Sequence, residues 1–318
     1  MVFCFECFMC FIWSLYGQLC ESQFYIIALA SIAALLMLCN VHTSFMMCTP
    51  GNGCALDVST TTSSAVGAGY DYSVERGPHT WHVAESNQSP INIESREVQR
   101  INFDMPLNWV GYDKLPLGVR LENNGHTLLL RAAYDGASPF IDGADLLSCF
   151  SFHEISFRWS WHDGEGSEHT LDNQHYPLEM QCLHTDAADR CHASSRGLLV
   201  VSYLFTLSVE NPFLNVIIRY LVAVQQAGQC AEIPPFPLNY LMPTFYSDFY
   251  SYQGSLTEPP CHRGAEWFIS PIPLAISERQ LHEFRKLRSR SGSRIERNAR
   301  PVQDLCDRIV NLNRYRRV

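Results

Sequence analysis

Gly166-Ser167-Glu168-His169-Thr170 is a tight polar connection between two runs of alternating residues, 150–161 and 176–184. A period of two is the strand period, in which side chains at i and i+2 share a face. The first run therefore places Glu154, Ser156 and Arg158 on one side and Phe157 and Trp159 on the other, toward apolar packing. The second places Glu179, Gln181 and Leu183 together on one face. Polar groups converging from adjacent strands onto one face of a β-rich domain mark a pocket. His153 is out of phase with Ser156 and Arg158, so the same rule sends it to the opposite face.

Working outward, residues 119–131 alternate and end in an apolar run, and 198–209 and 267–273 are β-rich stretches bounded by Gly and Pro. Helical patterns occupy 215–226 and 277–288. In the latter, Ser277 can cap, and Leu281, Phe284 and Leu287 fall on one face. Many strands with few helices predict one large sheet or a sandwich.

Five segments then follow one another in order: Gln88-Ser89-Pro90-Ile91-Asn92-Ile93; Asn124-Gly125-His126; Gly166 to Thr170; Gly254-Ser255-Leu256-Thr257 with Pro259-Pro260; and Asn298-Ala299-Arg300-Pro301-Val302-Gln303. In register, they resemble the α-class carbonic anhydrases over roughly residues 70–310. The resemblance implies a mainly β fold: a central twisted, mostly antiparallel sheet of about ten strands with peripheral helices, and a site in a cone on that sheet. It also implies where metal would sit. The family holds zinc through H-x-H on one strand and a third histidine, in E-x-H, on the next. Three imidazoles so placed leave one coordination position open. Aligned on Gly166 to Thr170, the H-x-H positions are Ser156 and Arg158, and the third is Gln181.

None of these is an imidazole. Arg158 keeps its charge at any relevant pH. A guanidinium ~4 Å from a dication, at an effective dielectric of ~20, is repelled by on the order of 8 kcal/mol. Ser and Gln are poor zinc ligands that do not offset this. The expectation is no zinc, no other cofactor and no metal-bound hydroxide to attack CO2. The rest of the family's site is matched by residue. Glu168 and Thr257 correspond to the pair that orients the hydroxide, His126 to the proton shuttle, and Glu179 to the carboxylate behind the third ligand. Glu154 joins Glu179 in that supporting layer, and Leu183, Leu256 and Trp267 resemble the apolar wall. In this chain we expect these residues to be structural, with Glu168 or Glu179, and Glu154 as a third candidate, paired with Arg158. A small-anion site on Arg158 is the alternative. Glu258 places a carboxylate beside Thr257, where it would oppose bicarbonate entry. His162 and His175 belong to turns and His169 and His184 match structural positions, so no relocated metal site is expected.

The 318 residues carry a net charge of −9, which argues against a nucleic-acid partner. No Lys or Arg precedes Arg76, and eleven of the 23 fall from Arg285 onward, read as a solvated helix and tail. Residues 1–50 are hydrophobic, with an apolar run over 24–47 that reaches membrane thickness. A signal-anchor, a signal peptide lacking its basic start, and an extension unrelated to the fold all remain open. Cys4, Cys7 and Cys10 lie among Phe, Met and Trp without a polar frame, as buried or lipidated thiols rather than metal ligands. Residues 51–69 read as a Gly/Ser/Thr-rich linker and 70–318 as the globular domain. Cys261 matches half of a disulfide found in secreted relatives, but residues 81–87 hold no partner Cys. Membrane-anchored or secreted placement is expected, with a cytoplasmic one as the alternative. The functional expectation is a non-catalytic, carbonic anhydrase-related module for an unidentified protein partner. A residual carbonic anhydrase or a metal-free esterase is the competing reading.

Overall fold

The computed structural model describes residues 69–83, 86–144, 146–186 and 197–315. These belong to one compact unit spanning Thr61–Val318. The hydrophobic segment 1–50, with its apolar run 24–47, and the expected linker 51–69, up to residue 68, lie outside the described residues.

Fifteen strands form among the described residues: β1 Asn92–Ile93, β2 Gln99–Phe103, β3 Leu107–Val110, β4 Gly118–Asn123, β5 Leu128–Ala133, β6 Phe140–Gly143, β7 Phe150–Trp159, β8 Thr170–Leu171, β9 Leu178–Asp186, β10 Leu198–Leu207, β11 Cys230–Ile233, β12 Phe249–Ser255, β13 Arg263–Ile269, β14 Leu274–Ile276 and β15 Asn311–Tyr315. Two short α-helices, α1 Asn215–Ile218 and α2 Glu278–Phe284, pack beside them. Ten strands run side by side in the order β11-β4-β5-β7-β9-β10-β13-β12-β15-β2. Only the β10–β13 and β15–β2 pairings on that path are parallel. This is the mainly β, mostly antiparallel sheet with peripheral helices that the sequence predicts.

The sheet carries a core on each face. The larger takes Phe157, Trp159, Met180 and Phe205 with Ile217, Leu281 and Phe284 from the helices. The smaller takes Ile91, Ile93, Val200, Leu204 and Trp267. Burying a side chain of this size contributes about 1.5–3 kcal/mol, so the apolar positions of β7 fix which of its faces turns toward the larger core. α2 stays short but is well begun. Ser277 Oγ accepts from Gln280 N–H while Gln280 Oε1 accepts from Ser277 N–H, a reciprocal cap.

Three local expectations are corrected. The run 119–131 is two strands, because the chain reverses at Asn124-Gly125: Asn124 Oδ1 accepts from His126 and Thr127 N–H at 2.8 Å each, and Gly125 takes φ +92°. Within 150–161 the period slips. Phe150 and Phe152 face the larger core, and then so do Ile155, Phe157 and Trp159. The cause is a bulge: pairing steps from Phe152↔His184 to Glu154↔Leu183, leaving His153 as the extra residue, so strict alternation does not assign His153 a face. The helical stretch 215–226 yields only α1, whose start at Leu214 has no side-chain cap, and a 3-10 turn, Leu221–Val224.

Candidate functional site

The five motif segments meet in one buried hydrogen-bond network. Ser89 N–H donates to Ser255 Oγ at 3.0 Å, and Ser255 N–H donates back to Ser89 Oγ at 3.1 Å. Tyr252 O–H donates to Ser89 Oγ at 2.8 Å, and His169 Nε2 lies 2.7 Å from the same phenol oxygen. Arg300 donates to Gln88 Oε1 at 2.9 Å and Ser89 O at 2.7 Å, while its backbone N–H donates to Glu168 Oε1 at 2.9 Å. Asn298 accepts from Trp159 N–H at 2.8 Å and donates to His126 O and Phe157 O at 3.0 Å. Gly166 and Gly254 leave no room for a Cβ, which would strike Pro177 O and Ser89 Oγ. These segments frame the site; most of their side chains are tied to one another.

On that frame, β7 and β9 bring the sequence-predicted positions together. Ser156 pairs with Gln181, Arg158 with Glu179 and Glu154 with Leu183 across the strands. A pocket of about 100 Å³ opens there, lined by Glu154, Ser156, Arg158, Gln181 and Leu183, and opposite them by Leu256, Thr257, Glu258 and Trp267. Small-molecule sites usually span about 300–1,000 Å³, so this one holds little more than a few waters. Glu168 and Glu179 are fully buried behind its wall.

Arg158 dominates the electrostatics. Only 2% exposed, it places Nη2 2.8 Å from Glu258 Oε1 and Nε 3.3 Å from Glu168 Oε1. Burial alone would lower its pKa; the two carboxylates outweigh that and raise it above the ordinary arginine value. With both carboxylates on the guanidinium, little positive charge remains for the small-anion reading. The other expected partners are engaged elsewhere. Glu154 pairs with Arg131 at 2.8 Å. Glu179 accepts from Glu168 N–H, His169 N–H, Gln181 Nε2 and Ser202 Oγ and sits 2.8 Å from His169 Nδ1. Burial would raise the Glu179 carboxyl, but His169 and these donors outweigh it and hold it low. The correction has a simple cause. Glu179 stands directly across from Arg158, but donors on its own side saturate it.

Gln181 bridges the two buried carboxylates, donating to Glu168 Oε2 at 2.6 Å and Glu179 Oε1 at 2.9 Å. Thr257 Oγ1 reaches Gln181 Oε1 at 3.5 Å rather than Glu168, so the hydroxide-orienting pair is not assembled. At Ser156, Arg158 and Gln181, the positions that the resemblance would make metal ligands, the side chains are a hydroxyl, a guanidinium and an amide, a set that does not fit zinc. Among the described residues no three His, Cys, Asp or Glu side chains gather as a metal-holding group.

Alternation along β7 gives no sign of what covers the mouth. Tyr70 stacks on His126 with centroids 4.3 Å apart and 9° between planes, and its O–H donates to Glu258 Oε2 at 3.2 Å. Tyr72 and Trp81 pack edge-on against it and each other at 5.4–6.3 Å. Burial pushes the Tyr70 phenol up, and Glu258 adds to the shift. Burial lowers His126, with Glu258 opposing and Arg290 reinforcing the shift. His126 Nε2 is buried without a hydrogen-bond partner among the described residues. The one available clue to this strap is the aromatic clustering of Tyr70, Tyr72 and Trp81 at the start of the domain.

The remaining nominated residues are structural in their contacts. His184 Nε2 lies 2.7 Å from Tyr112 O–H, and burial lowers its pKa to about 4. His175 Nδ1 lies 2.9 Å from Ser167 O. Cys261 is a buried free thiol, pushed up to about 11 by burial.

A β-rich domain with one broad sheet, a small polar pocket between β7 and β9 and an aromatic-covered mouth is the class defined by this geometry. Residues 76–314 match the eukaryotic-type carbonic anhydrase family, and the chain belongs to that family. Among its relatives, the rat (Rattus norvegicus) carbonic anhydrase-related protein is 30% identical over 253 residues, covering 70% of this chain and 82% of the relative. The human (Homo sapiens) protein of the same name matches with the same figures. Human carbonic anhydrase 7 is 30% identical over 256 residues, covering 76% of this chain and 96% of the relative.

Proposed function

We propose that this domain is a non-catalytic carbonic anhydrase-related module that binds a protein partner, with an arginine-centred ion cluster in place of zinc. The observation that carries the reading is Arg158, clamped between Glu168 and Glu258 at 3.3 and 2.8 Å where the family's second histidine would stand. A fixed cation compensates the buried Glu168 carboxylate, with the partly exposed Glu258 on its other side. The same cation repels metal, so no zinc hydroxide forms and CO2 meets no nucleophile. Tyr70, stacked on His126 and bonded to Glu258, covers the path a proton relay would use. What the domain retains is a stable frame and an outer surface, which suits a binding role. The apolar run over 24–47 would tether it to a membrane, or direct it outside the cell, with a cytoplasmic location as the alternative.

The deciding measurement is metal content of the full-length protein purified without chelators, alongside CO2 hydration. We expect far less than one zinc per chain and hydration at the buffer rate. Near-stoichiometric zinc would overturn the reading, as would hydration above buffer.

A further inference from the structure

A larger pocket, of about 430 Å³, opens on the opposite face of the sheet. Strand alternation puts it there. Trp267 lines the small pocket, so Glu266 and Phe268 on either side of it point to the reverse face, as do Ser251 and Gln253 flanking Tyr252. β2 and β15 extend the same floor, with Asn313 tied down by donating to Phe249 O at 3.2 Å and Ser251 Oγ at 2.8 Å. At one end the floor is aromatic, where Phe249 and Phe268 pack at 4.6 Å. Fully exposed Leu147 lines that pocket as well. At the other end stand Gln253 and Glu266, directly across from each other, with Gly264 beside them adding no side chain.

Glu266 is the unusual member. No cation pairs with it among the described residues; burial pushes its carboxyl up to about 7, and only Gln253 opposes that shift. A half-buried carboxylate without a counter-charge is costly. An incoming cation would relieve that cost. A neutral ligand would not, and an anion would add repulsion.

We propose that this reverse-face pocket binds a small organic cation, a primary amine on a compact apolar body, with the ammonium on Glu266 and the body against Phe249 and Phe268. The volume falls within the usual span of small-molecule sites, about 300–1,000 Å³. The aromatic end suits both apolar contact and cation–π attraction. The pocket is separate from the Arg158 cluster, so this binding is independent of whether the domain holds zinc.

The test is titration calorimetry on the full-length protein with three probes of one shape: benzylamine, benzyl alcohol and benzoate. A new charge-assisted hydrogen bond in a half-buried site corresponds to about tenfold in affinity. The amine should therefore bind about tenfold more tightly than the alcohol, with no benzoate binding. Glu266→Gln should erase the amine's advantage. Gln253→Lys, which sets an ammonium opposite Glu266 while keeping the carboxylate, should block the amine as well, so the result does not rest on one variant. Glu258→Gln should leave amine binding unchanged. Equal affinity for amine and alcohol, absence of amine binding, or loss of binding in Glu258→Gln with retention in Glu266→Gln would each overturn the assignment; the last would place the cation in the small pocket.

Discussion

Replacing Arg158 by Met removes the charge while keeping most of the side-chain volume, which isolates the ion cluster from cavity effects. The two carboxylates then fare differently. Glu258 is 31% exposed in its side chain, so water takes over much of the lost contact, and its share is about 0–1 kcal/mol. Glu168 is fully buried and keeps two donors, Gln181 Nε2 at 2.6 Å and Arg300 N–H at 2.9 Å, but loses its guanidinium. Breaking a buried pair costs about 3–5 kcal/mol, and the two surviving hydrogen bonds place this case near the lower end. We expect Arg158→Met to destabilise by about 3 kcal/mol. Urea unfolding followed by tryptophan fluorescence is a suitable assay, because Trp159 and Trp267 are both fully buried. Adding Glu168→Gln should recover part of the loss, with a coupling of about 1–3 kcal/mol in the double-mutant cycle. A loss under about 0.5 kcal/mol, the range of ordinary surface changes, would refute the pairing. So would strict additivity in the cycle.

Three further outcomes are expected. Ser156→His, Arg158→His and Gln181→His together should recruit one zinc, because Ser156 and Gln181 are directly opposed and Glu179 already holds residue 181 at 2.9 Å. CO2 hydration should stay weak, since Thr257 is not bonded to Glu168 and Tyr70 covers His126; a folded triple variant without zinc, by metal analysis, would mean the assigned positions do not converge. Glu266→Gln should stabilise the protein at pH 8 by on the order of 1–3 kcal/mol and do little at pH 4. A carboxyl raised from 4.5 to about 7 binds more protons folded than unfolded, so its penalty grows as pH rises through that window and is fully present above it; equal effects at both pH values, by urea unfolding, would contradict this. Finally, if 24–47 is an anchor, full-length protein should resist alkaline carbonate extraction from membranes while a chain starting at Tyr70 stays soluble; release of the full-length chain would exclude the anchor.

Much of the site was legible from residue order. Alternation on β7 and β9 put Ser156, Arg158 and Gln181 on one face, because the strand period depends only on local backbone geometry. The motif glycines were legible for a related reason: Gly166 and Gly254 sit where neighbouring atoms leave no space for a Cβ, a constraint that permits little other than glycine. From those positions the sequence alone determined the absence of imidazoles and the presence of an arginine that cannot give up its charge.

Tertiary structure decided the partners. A period of two assigns a face but does not rank the neighbours on it: the sequence offered Glu168, Glu179 and Glu154 as partners of Arg158 and gave no sign that Glu258 would be one. Glu179 was excluded by five donors of its own and Glu154 by Arg131, while Glu258, 100 residues from Arg158 along the chain, folds over to meet it. The bulge at His153 shifts the phase of β7; the apolar positions already pass from Phe150 and Phe152 to Ile155, Phe157 and Trp159 in the sequence, but only the pairing identifies His153 as the extra residue. Tyr70, 188 residues from Glu258, bonds to it only because the two segments meet in the folded domain. The reverse-face pocket draws its floor from strands at both ends of the domain, β2 and β15 among them. Such contacts depend on which donors and charges compete within reach in three dimensions, and that competition is settled only once the sheet has closed.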